Sequence, residues 1–182
     1  MGNGVFGHHR RTSLQKRMAA PHGGDSMPAM ESPLSIRRAG PDQVDQIRDL
    51  SMKAYAKWVP ITPRKPRPMT ADYSVSVLTN QFDFLFEGER LVGLIETVQH
   101  DSELMIVNVA VEPDCQGKGY GTTLMRHAEK LAKDSGFIGT RLYINKLMTE
   151  NIALYERLGY RFEKETHHDL GTVAVHMVRP AS

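Results

Sequence analysis

The stretch "CQGKGYGTTL" at residues 115–124 constrains this chain more than any other. It sets Gly117, Gly119 and Gly121 at alternate positions between an apolar run, "ELMIVNVAV" at 103–111, and a helical pattern. Glycines placed this way leave main-chain N–H groups bare, so that an anion can approach without side chains in between. The start of the following helix adds unsatisfied N–H groups and the positive end of its dipole. Two well-known phosphate loops do not fit. The P-loop needs Gly, four residues, then Gly-Lys-Ser/Thr. The dinucleotide fingerprint needs G-x-G-x-x-G and an acid about 20 residues on, whereas this loop reads G-x-G-x-G and the next strand ends in Asn145. What fits is a strand, a short loop and Q-x-x-G-x-G at a helix start, with Gln116, Gly119 and Gly121 in those places. The amides of residues 117–122 are then aimed at a pyrophosphate.

Around this loop the chain reads as one mixed α/β unit. "LSIRRAG" at 34–40 alternates as a short strand, and Val44, Ile47, Leu50, Ala54 and Trp58 follow at helical spacing after Pro41. Residues 59–70 carry Pro60, Pro63, Pro66 and Pro68, which exclude regular structure there. A short helix is expected over 71–79. "FDFLFEGERLVGLIETVQ" reads as two strands joined at Glu87–Arg90, and 103–111 as a central strand. Leu124, Ala128, Leu131 and Ala132 mark an amphipathic helix ending near Gly136. Then come a strand at 140–145, a helix at 149–160 with Thr149 as N-cap and Gly159 as its stop, and a closing antiparallel pair.

Composition removes several classes of function. With 182 residues, a net charge of +2 and the excess of base confined to Arg10, Arg11, Lys16 and Arg17, the body shows no footprint for nucleic acid. The one cysteine, Cys115, allows no internal disulfide and suits a reducing compartment. No apolar run reaches the roughly 18 residues of a membrane helix, so a cytoplasmic protein without membrane partners is expected. Residues 1–33, rich in Gly, His, Pro and Ser, read as a disordered tail before a domain at 34–182.

"NVAVEPDCQGKGYGTTLMRHAEKLA" followed by "LYINKLMTENIALYERLGY" resembles the GNAT N-acetyltransferase superfamily. The resemblance runs through most of residues 34–179. It implies a mixed, mostly antiparallel central sheet flanked by helices and splayed at an acetyl-CoA site. It also implies direct transfer of an acetyl group to a primary amine, on a small molecule or a peptide, with a homodimer as a common assembly. By position, Val109, Ala110 and Val111 would hold the pantetheine arm, and Gln116, Gly117, Lys118, Gly119, Tyr120, Gly121 and Thr122 the pyrophosphate. Asn151 and Tyr155 share one helix face. The resemblance gives Asn151 to the cofactor and makes Tyr155 the acid that protonates the departing thiolate. On the residues alone, a ring packed in the core with one structural hydrogen bond is the better explanation of Tyr155.

The general base is where the pattern departs from the family. Many relatives carry a glutamate where this chain has Val107. Glu103 lies two pleats away, about 13 Å by strand rise, and His100 falls in a turn. Glu96 on the neighbouring strand is the preferred candidate, and an amine arriving already deprotonated is the remaining option. Tyr55, Trp58 and Tyr73, around the proline-rich segment, are the expected lining of the acceptor pocket, where aromatic faces suit an amine cation. Cys115 sits beside the phosphate loop with no histidine at hand, which disfavours it as a nucleophile. The missing glutamate also leaves a non-catalytic acetyl-CoA sensor as the alternative.

Overall fold

Alternation of apolar side chains builds the sheet on which everything else is hung. The computed structural model describes residues 33–181; the tail expected over residues 1–33 lies, but for Pro33, outside them. The strands are β1 (Leu34–Arg38), β2 (Gln81–Glu87), β3 (Arg90–His100), β4 (Glu103–Val111), β5 (Gly139–Asn145), β6 (Arg161–His167) and β7 (Val173–Pro180). They form a seven-stranded sheet in the order β1-β2-β3-β4-β5-β7-β6. All neighbours are antiparallel except β4 and β5. This is the mixed, mostly antiparallel α/β architecture that the sequence implied.

Helices cover both faces. On one side α1 (Val44–Tyr55) and α2 (Tyr73–Thr79) pack Ile47, Leu50, Ala54 and Tyr73 against Phe82, Phe84, Leu94 and Ala110. On the other, α3 (Tyr120–Asp134) and α4 (Thr149–Arg157) set Leu124, Met125, Ala128 and Tyr155 against Leu85, Val92, Ile95 and Leu142. Each of the larger side chains contributes about 1.5–3 kcal/mol on burial. No helix among the described residues is long and apolar enough to cross a membrane.

The glycines fall at the expected helix ends, and one helix start is corrected. Gly119 adopts φ 89° as the N-cap of α3, and Gly136 and Gly159, at φ 77° and 92°, follow the ends of α3 and α4. Thr149 is not an N-cap: Met148 holds that place and Thr149 is the first helical residue. The turn before α4 is instead fixed by Asn145, whose Oδ1 accepts from the Leu147 amide at 3.0 Å and whose carbonyl accepts from the Met148 amide at 2.9 Å. The residues expected to be irregular, 59–70, contain a single short 3-10 turn, Arg67–Met69.

One break in the sheet positions the site. The parallel ladder pairs Leu104, Met105 and Ile106 with Thr140, Arg141 and Leu142 and then stops. Both strands continue, to Val111 and Asn145, so they part over their C-terminal halves. Residues 107–111 keep β3 on one side and present an unpaired backbone edge on the other.

Candidate active site

The open edge of β4 forms the floor of a cleft with a cavity at each end. In a strand, a residue's N–H and C=O point to the same side. Tyr55 Oη donates to the Val109 carbonyl at 3.2 Å, and Gln116 Nε2 donates to the Val111 carbonyl at 3.2 Å. Neither bond comes from β3, so residues 109 and 111 turn their main-chain groups toward the open side. Ala110, between them, is buried in the core beneath α1 and lines neither cavity. Its expected part in holding a pantetheine arm does not agree with that placement.

The first cavity, about 610 Å³, lies at the glycine loop. Val109, Val111, Gln116, Gly117, Gly119, Tyr120, Gly121, Thr122 and Asn151 line it. Gly117 and Gly119 have φ 81° and 89°, and a Cβ on either would meet no atom within 4 Å. Thr123 N donates to the Gly119 carbonyl at 3.0 Å. The amides of residues 120–122 precede it and, as first-turn groups, take no intrahelical partner. Bare backbone, unspent donors and a helix dipole fit a pyrophosphate.

Three residues of the loop differ in where their side chains go. Lys118 is exposed and does not line the cavity. Tyr120 lines the cavity and turns its hydroxyl to Glu87. The Gln116 side chain ties the loop to the end of β4 through Val111. Cys115 is buried, donates to Asp114 at 3.4 Å, and burial pushes its thiol up.

The second cavity, about 300 Å³, lies between the splayed strands, the proline-rich strap at 62–70 and the β6–β7 hairpin. Tyr55, Val109, Asn151 and Tyr155 line both cavities and form their junction. Tyr155 is buried, and no hydrogen bond to its hydroxyl is found among the described residues. Burial pushes that hydroxyl up to about 12. Burial also raises Tyr55 well above the ordinary phenol range, with the neighbouring Tyr155 adding to it.

The other expected acceptor residues lie elsewhere. Trp58 is a core residue that borders the cofactor-side cavity, under Lys57 Nζ at 4.8 Å from its ring. Tyr73 is buried against Phe82 and lines no cavity near the cleft; its hydroxyl donates to the Pro68 carbonyl at 2.6 Å and anchors the strap. Glu96 is buried on β3, opposite Asn108 of β4, and accepts from Asn80 Nδ2 at 2.6 Å. Burial raises its pKa above the ordinary 4.5 although the Asn80 bond opposes this. It opens onto a third cavity, which shares Arg67, Pro68, Val107 and Tyr143 with the second. Glu103 is taken up by Arg141 and is no free base.

Asn108 and the cations of the strap escaped sequence reasoning. Asn108 lines the second cavity and is 2% exposed; its Nδ2 donates to Ser51 Oγ at 3.0 Å and Tyr73 Oη at 3.2 Å. A lone amide in "ELMIVNVAV" was the available signal. For Arg64, Lys65 and Arg67 it was "PRKPRP", basic residues fixed between prolines.

The fold and this two-chambered cleft define an acyl-CoA-type acetyltransferase scaffold. The acetyltransferase (GNAT) family model matches residues 44–160, and the chain belongs to that family. A spermidine N(1)-acetyltransferase of Thermoplasma acidophilum is 27% identical over 88 residues, covering 46% of this chain and 55% of that protein. The match thus spans about half the length of that relative. The Escherichia coli ribosomal-protein-S18-alanine N-acetyltransferase has the same fold, with TM-score 0.68 and 20% identity over 82% of this chain and 95% of that one. A PaiA N-acetyltransferase of T. acidophilum, solved with coenzyme A, has TM-score 0.66 and 17% identity over 79% and 98%.

Proposed function

We propose that the protein transfers an acetyl group from acetyl-CoA directly to a primary amine. The observation that carries this reading is the junction: Tyr55, Val109, Asn151 and Tyr155 border both the cavity at the glycine loop and the cavity at the strap. A thioester lying along the open edge of β4 from the loop would end where an amine entering from the strap side must stop. Acetyl-CoA supplies the activated acetyl group; the chain supplies position, dipoles and protons.

The amides of residues 117–122 and the start of α3 hold the pyrophosphate. The open-edge groups of Val109 and Val111 align the arm, and Asn151 approaches it from α4. The Val109 N–H meets the acyl oxygen as negative charge grows there. Tyr155, neutral at physiological pH, gives its proton to the thiolate as the C–S bond breaks and the C–N bond forms. The proton shed by the amine passes to Glu96 through water in the neighbouring cavity, because Glu96 does not line the chamber that holds the amine. Holding both reactants in one cleft supplies much of the rate.

The test is release of coenzyme A thiol from acetyl-CoA in the presence of a panel of primary amines. Turnover on one amine class, saturable in both substrates, supports the reading. Saturable acetyl-CoA binding with no turnover on any amine favours a sensor instead.

A further inference from the structure

The acceptor chamber has an unusual charge balance for an enzyme that receives amines. Its lining includes Arg64, Lys65, Arg67 and His168, and no aspartate or glutamate. Among the described residues, none of Arg64, Lys65 and Arg67 is paired with an acid. We propose that the acceptor is a small amine bearing a carboxylate, an amino-acid-like substrate, with Arg67 holding the carboxylate and Arg64 and Lys65 beside it. This rests on the acetyl-transfer reading above and names its substrate class.

The strap presents its cations from a fixed backbone. Pro63, Pro66 and Pro68 restrict it. Thr62 Oγ1 bonds the carbonyls of Trp58 at 3.0 Å and Arg64 at 2.7 Å, and Tyr73 bonds that of Pro68. Little ordering remains to be done on binding, which favours affinity. Arg67 reaches across the mouth, where its Nη1 donates to Tyr143 Oη at 2.7 Å, leaving other guanidinium donors for a carboxylate.

Charge also argues against the polycationic alternative. A second ammonium group held close to one of these cations would be repelled by it, and more strongly in the cavity than in bulk water. No acid lines the chamber itself, and Glu96 acts on Arg67 only from the adjoining cavity. A spermidine-like acceptor, the one named for the T. acidophilum relative, therefore fits this lining poorly. A cavity of about 300 Å³ is at the small end for ligand sites and suits a single compact molecule. The same positive lining favours the neutral form of the attacking amine, which bears on catalysis in a chain with Val107 where a base is usual.

The experiment compares matched amines that differ only in the carboxylate: ornithine with putrescine, lysine with cadaverine, phenylalanine with phenethylamine. Coenzyme A release is measured for the wild type, Arg67→Gln and Tyr143→Phe, and acetyl-CoA binding is followed in parallel by calorimetry. The acid-bearing partner is expected to have the higher kcat/KM by about tenfold or more in at least one pair. That ratio should collapse in Arg67→Gln through KM and persist in Tyr143→Phe, which loosens the strap but keeps the charge. Preference for the decarboxylated partner, or a ratio unmoved by Arg67→Gln, overturns the assignment. If acetyl-CoA binds and no acid-bearing amine is turned over, the substrate class falls alone. If acetyl-CoA does not bind, the acetyl-transfer reading falls with it.

Discussion

The Tyr55 hydroxyl donates to the Val109 carbonyl at 3.2 Å and so ties the end of α1 to the edge of β4 that β5 leaves open. Tyr55→Phe removes this one bond and keeps the ring. The expected cost is about 1 kcal/mol, or a fall of about 3 °C in Tm for a chain of this size, read by thermal melting. Because Tyr55 borders both cavities, the KM for acetyl-CoA and for the amine should rise together.

Gly121 separates binding from folding at the glycine loop. Its φ is ordinary, and a Cβ there would meet only Leu154 Cδ2, at 3.9 Å. Gly121→Ala should therefore leave Tm unchanged or raise it, by up to about 1 kcal/mol from helix propensity, while weakening acetyl-CoA by about tenfold or more. Gly119→Ala, at φ 89°, should lose stability as well, by about 1–2 kcal/mol. Calorimetric titration and melting of both variants check this; undiminished affinity in Gly121→Ala would mean that the bare backbone serves no ligand.

Burial raises the pKa of Glu96 above 4.5, with consequences of opposite sign for activity and stability. As a base it must be ionised, so kcat/KM should fall as pH drops through its raised value, and Glu96→Gln should abolish that limb and cost about 10²–10³ in rate. For stability, a raised folded pKa makes a contribution that is full below the unfolded value and lost as pH rises through the folded one. Glu96→Gln should then melt no lower than the wild type at pH 8. A pH–rate profile identical in the two proteins would remove Glu96 from the mechanism.

Asp83 behaves in the reverse way on the same strand pair. Burial disfavours its ionisation, yet hydrogen bonds from His127 Nε2 at 2.9 Å and Gln81 at 2.7 Å, with Arg38 at 2.9 Å, hold it below its ordinary 3.8. Its contribution is present above the unfolded value and lost as pH falls through the folded one. Asp83→Asn should lose about 1.5–3 kcal/mol at neutral pH, and its Tm should fall less than that of the wild type below about pH 4.

Local signals in the sequence carried the elements and the loop, because glycine at 119 and 121 and the apolar run before them act within a few residues. Side-chain direction in the strap was not legible. Nothing periodic indicates that Tyr73 turns inward to hold Pro68 while Tyr55 faces the cleft. Trp58 continued the stripe from Val44 and proved to be core, as its spacing alone would suggest. Asn108 depends on Ser51 and Tyr73, distant in sequence, so its place emerges only once α1 and α2 are packed. The Thr149 boundary missed by one residue because Asn145, four positions earlier, fixes the turn instead.

The central claim is that Tyr155 delivers a proton at the junction of the two cavities. The most direct measurement is kcat for coenzyme A release by Tyr155→Phe against the wild type, on the best amine and at saturating acetyl-CoA. The account predicts a fall in kcat of about 10²–10³, with acetyl-CoA affinity changed by no more than about threefold and the fold intact by melting. A Tyr155→Phe protein that binds acetyl-CoA and turns over at the wild-type rate would contradict it.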